Sequence, residues 1–245
     1  MIVRNRGLLL LMVLTVVVAL IITFPARIAY QWISPPFVQV SGIHGTVWNG
    51  GAREFATNGV YLNELTWRMR PLALLTGQAR YDISGTPVSG FFASEVTLSL
   101  GGTLTLSNLS ASVPLQMFEA ASKVAGLRGT ASLQFERLEL AAGRATAMDG
   151  TVDVANLVVP LIGDMPLGGY RAEFYTQNNG IVASVEDTDG IVDVAGSLQL
   201  NPDKSYAFRG QVVAKPAAPD SLKNQLRYIP TNDRGQHELS LEGQY

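Results

Sequence analysis

The 245 residues contain no cysteine, so disulfide staples, zinc–thiolate centres and thiol nucleophiles are excluded together. A chain without thiols is compatible with an oxidising compartment. Charge is also scarce: 16% of residues are charged and the net charge is -2, with a pI near 5.7. The four lysines are scattered, which leaves no basic face for a phosphate backbone and excludes nucleic acid as a partner. Only two histidines occur, His44 and His237, far apart and flanked by ordinary strand residues. No nucleophile elbow, S-x-x-K set, Walker loop or H-E-x-x-H helix is present. Asp187, Asp189 and Gly190 fit the middle of a calcium loop, but its first and twelfth positions fall on Val185 and Gly196, so a hairpin turn explains them better. Glu54 and Glu64 have no fixed separation that would make them an acid–base pair. The expectation is a protein with no catalytic residues, no cofactor and no metal, and no enzyme activity.

What the chain does have is apolar material: 47% of residues are hydrophobic, ample for a core. Twenty uncharged residues run from Gly7 to Ala26, and a helix of that length spans roughly 30 Å, the thickness of a bilayer's hydrocarbon core. Arg4 and Arg6 precede the run and Arg27 follows it, a bias that holds the N-terminus in the cytoplasm. A cleaved signal peptide is the competing reading. Phe24, Pro25 and Arg27 place a ring, a proline and a charge where a cleavage site needs small residues, so the segment is read as retained. The resulting organisation is a cytoplasmic tail at 1–6, a single transmembrane helix at 7–26, a juxtamembrane linker at 27–36 and a periplasmic β-domain at 37–245. Tyr30 and Trp32 lie where aromatic rings settle at the headgroup level, and Ser34, Pro35 and Pro36 form a stiff extended exit. The expected location is a bacterial inner membrane, single-pass, with the main domain periplasmic.

Beyond Phe37 the apolar period is two. Examples are Leu65, Trp67 and Met69; Val96, Leu98 and Leu100; Leu133 and Phe135; Ile181, Ala183 and Val185; and Leu239 and Leu241, which read as half-buried strands. Asn49-Gly50, Asn58-Gly59, Asp149-Gly150, Asn179-Gly180 and Asp189-Gly190 are dipeptides of tight hairpin turns. Their spacing predicts a meander with no room for crossover helices. Two short helices interrupt it, one from Pro114 to a stop at Gly126, the other from a cap at Asp220 or Ser221 to Pro230. Gly-containing entries at Gly42, Gly126 and Gly190 echo one another, as repeated hairpin units stacked in one long sheet would. The fold class expected is mainly β: a single N-terminal transmembrane helix followed by an elongated, curved, mostly antiparallel sheet with two short helices.

Val40 to Gly51, V-S-G-I-H-G-T-V-W-N-G-G, and Leu65 to Gly77, L-T-W-R-M-R-P-L-A-L-L-T-G, resemble the N-terminal periplasmic signatures of the type II secretion system protein N family. The closing Tyr228 to Gly243 segment, with Asp233, Gly235, Leu239 and Leu241, is also similar. The resemblance implies an accessory inner-membrane subunit that docks on other inner-membrane subunits of the secretion apparatus as folded proteins leave the periplasm. Residues 67–77 also resemble the AsmA-like proteins, which implies the alternative of a lipid-binding or lipid-transfer protein with an apolar trough and membrane lipid as its partner. In physical terms, Leu65, Trp67 and Met69 share one strand face, Arg68 and Arg70 the other, and Pro71 ends the pairing before an apolar turn. Either that turn covers a sheet edge by packing on the core, or Trp67, Leu72, Leu74 and Leu75 form a partner or lipid surface.

Overall fold

The structure, a computed structural model, describes residues 3–33, 38–57, 60–87, 89–119, 124–160, 163–177, 180–228, 230–232 and 236–244. Two helices come first, α1 (Val3–Ile22) and α2 (Ala26–Ile33). The strands are β1 (Val38–Ser41), β2 (His44–Gly45), β3 (Asn49–Thr57), β4 (Val60–Met69), β5 (Gln78–Pro87), β6 (Phe91–Ser99), β7 (Leu104–Pro114), β8 (Arg128–Ala141) and β9 (Arg144–Val158). They continue as β10 (Gly168–Gln177), β11 (Gly180–Asp187), β12 (Val192–Leu200), β13 (Ser205–Ala214) and β14 (His237–Gln244), with α3 (Asp220–Leu226) between the last two. All belong to one 14-stranded sheet in chain order, save that β1 and β2 both pair with β3. Every pairing is antiparallel, as in β3 with β4 and β13 with β14, so the expected meander is what forms.

The period of two explains the two faces. Leu109, Phe135, Gly150, Phe174, Ala183, Leu198, Phe208 and Leu241 stand opposite one another in an unbroken row across eight strands. A neighbouring row on the other face reads Ser110, Gln134, Thr151, Glu173, Ser184, Ser197, Arg209 and Ser240. One face is therefore apolar and the other polar along most of the sheet, the pattern of a sheet wetted on one side. The apolar face is sealed in patches. Leu109, Ala111 and Phe135 bury with Phe174 beside them, the two rings 5.8 Å apart. A single 3-10 turn, Leu115–Phe118, covers Val113 and Ala131, and α3 places Leu222 and Leu226 on Val192 and Val212.

Several expectations are corrected. Asn49-Gly50 begins β3, because the turn closes earlier, with the Thr46 N–H donating to the Asn49 carbonyl. Asp149-Gly150 lies inside β9, at a register shift opposite Phe135 and Arg137: a β-bulge uses the same glycine conformations as a turn. Asn58-Gly59 lies outside the described residues, as does Asn179; Asp189-Gly190 does join β11 to β12. Pro114 closes β7, and only Leu115–Phe118, with Glu119 beyond, has helical form among the described residues of the first expected helix. The second is α3, as expected. Leu100 falls just past β6. The three glycine echoes precede β2, β8 and β12.

The N-terminal apolar run is helical but broken at its end. Among the described residues no helix is long and apolar enough to cross a membrane. The side chains described in α1 start at Leu11 and are exposed to Ile22, a stretch of about 18 Å at 1.5 Å per residue. The transmembrane helix expected over 7–26 is thus not shown. Pro25, which has no N–H to give, separates α1 from α2. Residues 27–33 of the expected linker are helical, and Ser34 to Phe37 lie outside the described residues.

Candidate functional site

The chain between α1 and β4 is held at one corner of the sheet by hydrogen bonds from side chain and backbone. The Trp48 indole Nε1 donates to the Ile21 carbonyl at 2.7 Å, and the Val47 N–H donates to the Phe24 carbonyl at 3.1 Å. Pro25 bridges to Thr46, and the Tyr30 hydroxyl donates to the Val38 carbonyl at 2.8 Å. The Met69 N–H donates to the Trp48 carbonyl at 2.7 Å, which ties the end of β4 to the same turn. The last turn of α1 and the chain just after it are thereby fixed to the sheet through the Ile21 and Phe24 carbonyls.

Beneath this corner, α2 roofs an apolar cleft of about 390 Å³ over β1 to β5. Its walls are Ala26, Tyr30, Val38, Val40, Ile43, Val47, Phe55, Leu65, Trp67, Tyr81 and Ile83. The volume lies within the range of small-molecule pockets. Burial in this setting pushes the Tyr81 hydroxyl above its ordinary pKa. On the opposite face, Arg70 grips Asp82 with two hydrogen bonds, at 2.8 and 3.1 Å. It also pairs with Glu95 at 3.0 Å, which Arg80 approaches at 3.3 Å. The hydrogen bond that Arg70 donates to Asp82 and the charge of Glu95 raise the Arg70 pKa.

The four residues singled out in the sequence do not form one surface. Trp67 is half-buried in the cleft, with its Nε1 donating to the Thr46 carbonyl at 3.1 Å. Its ring lies so close to Gly50 that a side chain there would meet it at 2.8 Å. Leu72, Leu74 and Leu75 sit on a 3-10 helix, Pro71–Thr76, that buries none of its residues. Leu72 and Leu75 are 78% and 85% exposed and Leu74 is 46% exposed, so the turn does not cover the core. Residues three apart eclipse in a 3-10 helix, which sets Leu72 and Leu75 on one side. Sequence reasoning missed Trp48, whose partner lies 27 positions away and leaves no local signal. It also misses Tyr30 and Phe55 as cleft walls, and Leu100, expected on a strand, is 92% exposed on the adjoining turn.

The remaining polar candidates are spoken for. Asp187 accepts from the Lys215 ammonium and from the Val194 N–H. Burial tends to raise its pKa, but these two partners outweigh that and hold it below the ordinary carboxylate value. The Tyr170 hydroxyl is pushed up to about 12 by burial and by the charges of Asp187 and Asp189. Glu54 accepts from Ser41 at 2.8 Å, and His44 lies against Gly51 with Nδ1 3.2 Å from the Gly42 carbonyl. Among the described residues no three His, Asp or Glu side chains converge as metal ligands.

These features define a class of protein: one long antiparallel sheet with an apolar and a polar face, and an N-terminal helix pinned to its corner. Residues 36–239 match the sequence profile of the family described as Type II secretion system (T2SS), protein N, and the chain belongs to that family. It is 26% identical over 247 residues to the type II secretion system protein N of Vibrio cholerae, covering 92% of this chain and 93% of the relative. It is 25% identical over 243 residues to the protein of that name from Aeromonas hydrophila, covering 91% and 92%. No solved structure matches the chain.

Proposed function

We propose that the protein is an accessory subunit of the type II secretion system, anchored in the inner membrane by α1 as a single-pass helix with its N-terminus in the cytoplasm. Its periplasmic sheet docks on other inner-membrane subunits and performs no chemistry. Family membership supports the assignment to secretion. The observation that carries the docking role is the edge of β14: it pairs with β13 on one side, while on the other Thr231 bridges to His237 and the Glu238 N–H donates to the Pro230 carbonyl, and among the described residues no strand lies along 239–244. An open edge offers backbone groups to a strand from a partner. The uncharged stretch beginning at Gly7 supports the anchor, and the pinning of its end to Trp48 would keep the sheet at the bilayer surface. Detergent-solubilised full-length protein should co-purify with other inner-membrane secretion subunits and resist extraction by alkaline wash. Recovery without any such subunit, from cells that are secreting, argues against docking.

A second reading, lipid binding, is favoured by the apolar cleft under α2, whose walls carry no charged side chain. Organic extraction of the purified full-length chain followed by mass spectrometry tests it. Stoichiometric phospholipid supports the reading, and a lipid-free protein with unchanged stability on adding lipid opposes it.

A further inference from the structure

We propose that the leucine turn at Leu72–Leu75, extended by Leu98 and Leu100, is a membrane-dipping surface that inserts into the headgroup–acyl boundary beside α1. The inference rests on α1 lying in the bilayer, as argued above, and adds a second point of contact from the sheet itself.

Three observations carry it. Antiparallel alternation puts the turn at Thr46–Asn49, the 3-10 helix and the turn after Ser99 at one end of neighbouring strands. That is also the end where Trp48 and Val47 bind the last turn of α1. With strands roughly 4.8 Å apart, the 3-10 helix lies roughly 5–10 Å sideways from the pinned turn. The two leucine turns also touch: a side chain at Gly77 would meet the Leu100 side chain at 3.1 Å. Their exposed leucines therefore adjoin, Leu98 being 49% and Leu100 92% exposed.

Charge discriminates between the turns at this end. No charged residue occurs from Pro71 to Ala79 or from Val96 to Phe118. Two of the three connections at the same end but farther from α1 carry charge, the β8–β9 turn being flanked by exposed Arg144 and the β12–β13 turn carrying exposed Asp203 and Lys204, while residues 177–180 are polar and uncharged. Exposed leucine thus occurs on the turns near the helix and polar or charged residues on those far from it, the gradient that distance from a bilayer surface imposes. Arg70 and Arg80, the charges that flank the leucine turn in sequence, are already paired, Arg70 with Asp82 and Glu95 and Arg80 with Glu95.

The absence of native cysteine permits a clean test. Full-length protein in nanodiscs is labelled with an environment-sensitive fluorophore at one introduced cysteine: Val16→Cys in α1, Leu75→Cys in the leucine turn, or Thr188→Cys at the opposite end of the sheet. Quenching by brominated acyl chains is compared. All three positions are exposed, so the fold tolerates the changes. Interfacial insertion reaches roughly 5–10 Å into the boundary, so quenching at position 75 should be at least about half of that at position 16, with position 188 unaffected. Strong quenching at 16 with 75 matching 188 overturns the inference while the anchor stands, and makes the leucines a protein contact. No quenching at 16 overturns the anchor, and the inference with it.

Discussion

Ile181 and Leu241 lie on the same apolar face of the sheet, three strands apart, and truncating each to alanine measures how far that face is closed. Ile181 pairs with Thr176 and Leu200 and is 1% exposed. Leu241 pairs with Phe208 on the last strand and is 50% exposed. Removing buried isoleucine atoms costs about 2–5 kcal/mol, because the lost transfer energy is joined by a cavity. Leu241 is a different case: fully burying a leucine stabilises by about 1.5–3 kcal/mol, half of that surface is already wet, and no closed cavity forms, so Leu241→Ala should cost about 1 kcal/mol or less. With a urea slope of about 3 kcal/mol per M, the denaturation midpoint should fall by about 1 M for Ile181→Ala and by about 0.3 M for Leu241→Ala. Urea titration of the full-length chain in mild detergent, followed by fluorescence of Trp48 and Trp67, reads both. Equal shifts, or a larger one for Leu241, would refute the reasoning and mean that a second copy or a lipid covers β14 in solution.

The Asp187–Lys215 pair predicts a pH signature. The depressed Asp187 pKa makes its contribution present above the unfolded value of about 3.9 and lost as pH falls through the folded value. The raised Lys215 pKa makes its share present below about 10.4 and lost as pH rises through the folded value. The midpoint difference between wild type and Asp187→Asn should therefore be constant from pH 6 to 9 and shrink below pH 4; a difference that persists at pH 3 would show that the carboxylate's charge is immaterial. At the bulge in β9, a side chain on Gly150 would lie 2.3 Å from the Gln134 carbonyl oxygen and 2.5 Å from the Phe135 Cα. Gly150→Ala should thus destabilise by about 1–3 kcal/mol in the same urea titration, whereas Gly101→Ala, whose added carbon meets only the Ser99 hydroxyl at 3.8 Å, should be near neutral.

How much of this was legible in advance follows from what acts locally. Alternation is a local signal, and Ile181, Ala183 and Val185 or Leu239 and Leu241 fell on the strands and faces their period indicated. Hairpin order followed from short connections. The apolar leucine turn after Pro71 was also legible, since proline stops a ladder wherever its missing N–H is needed. Exposure was not. Whether Trp67 faces solvent or a cleft depends on α2, Val38 and Phe55 arriving from elsewhere in the chain. The link from Trp48 to the Ile21 carbonyl joins a strand end to a helix end with no sequence mark at either. Leu115 to Val124 have helical spacing, yet β7 continues to Pro114 because Val113 and Ala131 pair across the ladder, and packing overrides propensity there.

The misreading of Asp149-Gly150 as a turn points to how the sheet is built. Register slips between β4 and β5 at Asn63 and Thr66, between β6 and β7 at Ala93 and Glu95, and between β8 and β9 at Phe135 and Arg137. These bulges are aligned: Thr66, Ser84, Ala93, Ser110, Gln134 and Thr151 form one cross-strand row beside all three. Glu64 and Asn108 take positive φ values of 50° and 51° at the bulges, and the buried Ser94 hydroxyl donates to the Ser107 carbonyl at 3.3 Å where the ladder is interrupted. Each bulge bends its strand and sharpens the local twist, so three in one row crease the first half of the sheet along a single line. Past a slip between β9 and β10 near Gly168, no ladder from β10 to β14 slips register among the described residues, and the apolar row runs on without a crease to the half-exposed Leu241. The creased half closes over Leu109 and Phe135 and carries the pinned helix; the other half closes over Ile181, Ala183, Val192 and Val212, the last two beneath α3, and ends at β14. One continuous ladder thus holds two mechanical regimes, and a partner strand or a lipid would find its purchase at the ends, on β14 or on the leucine turns, where the row of bulges does not reach.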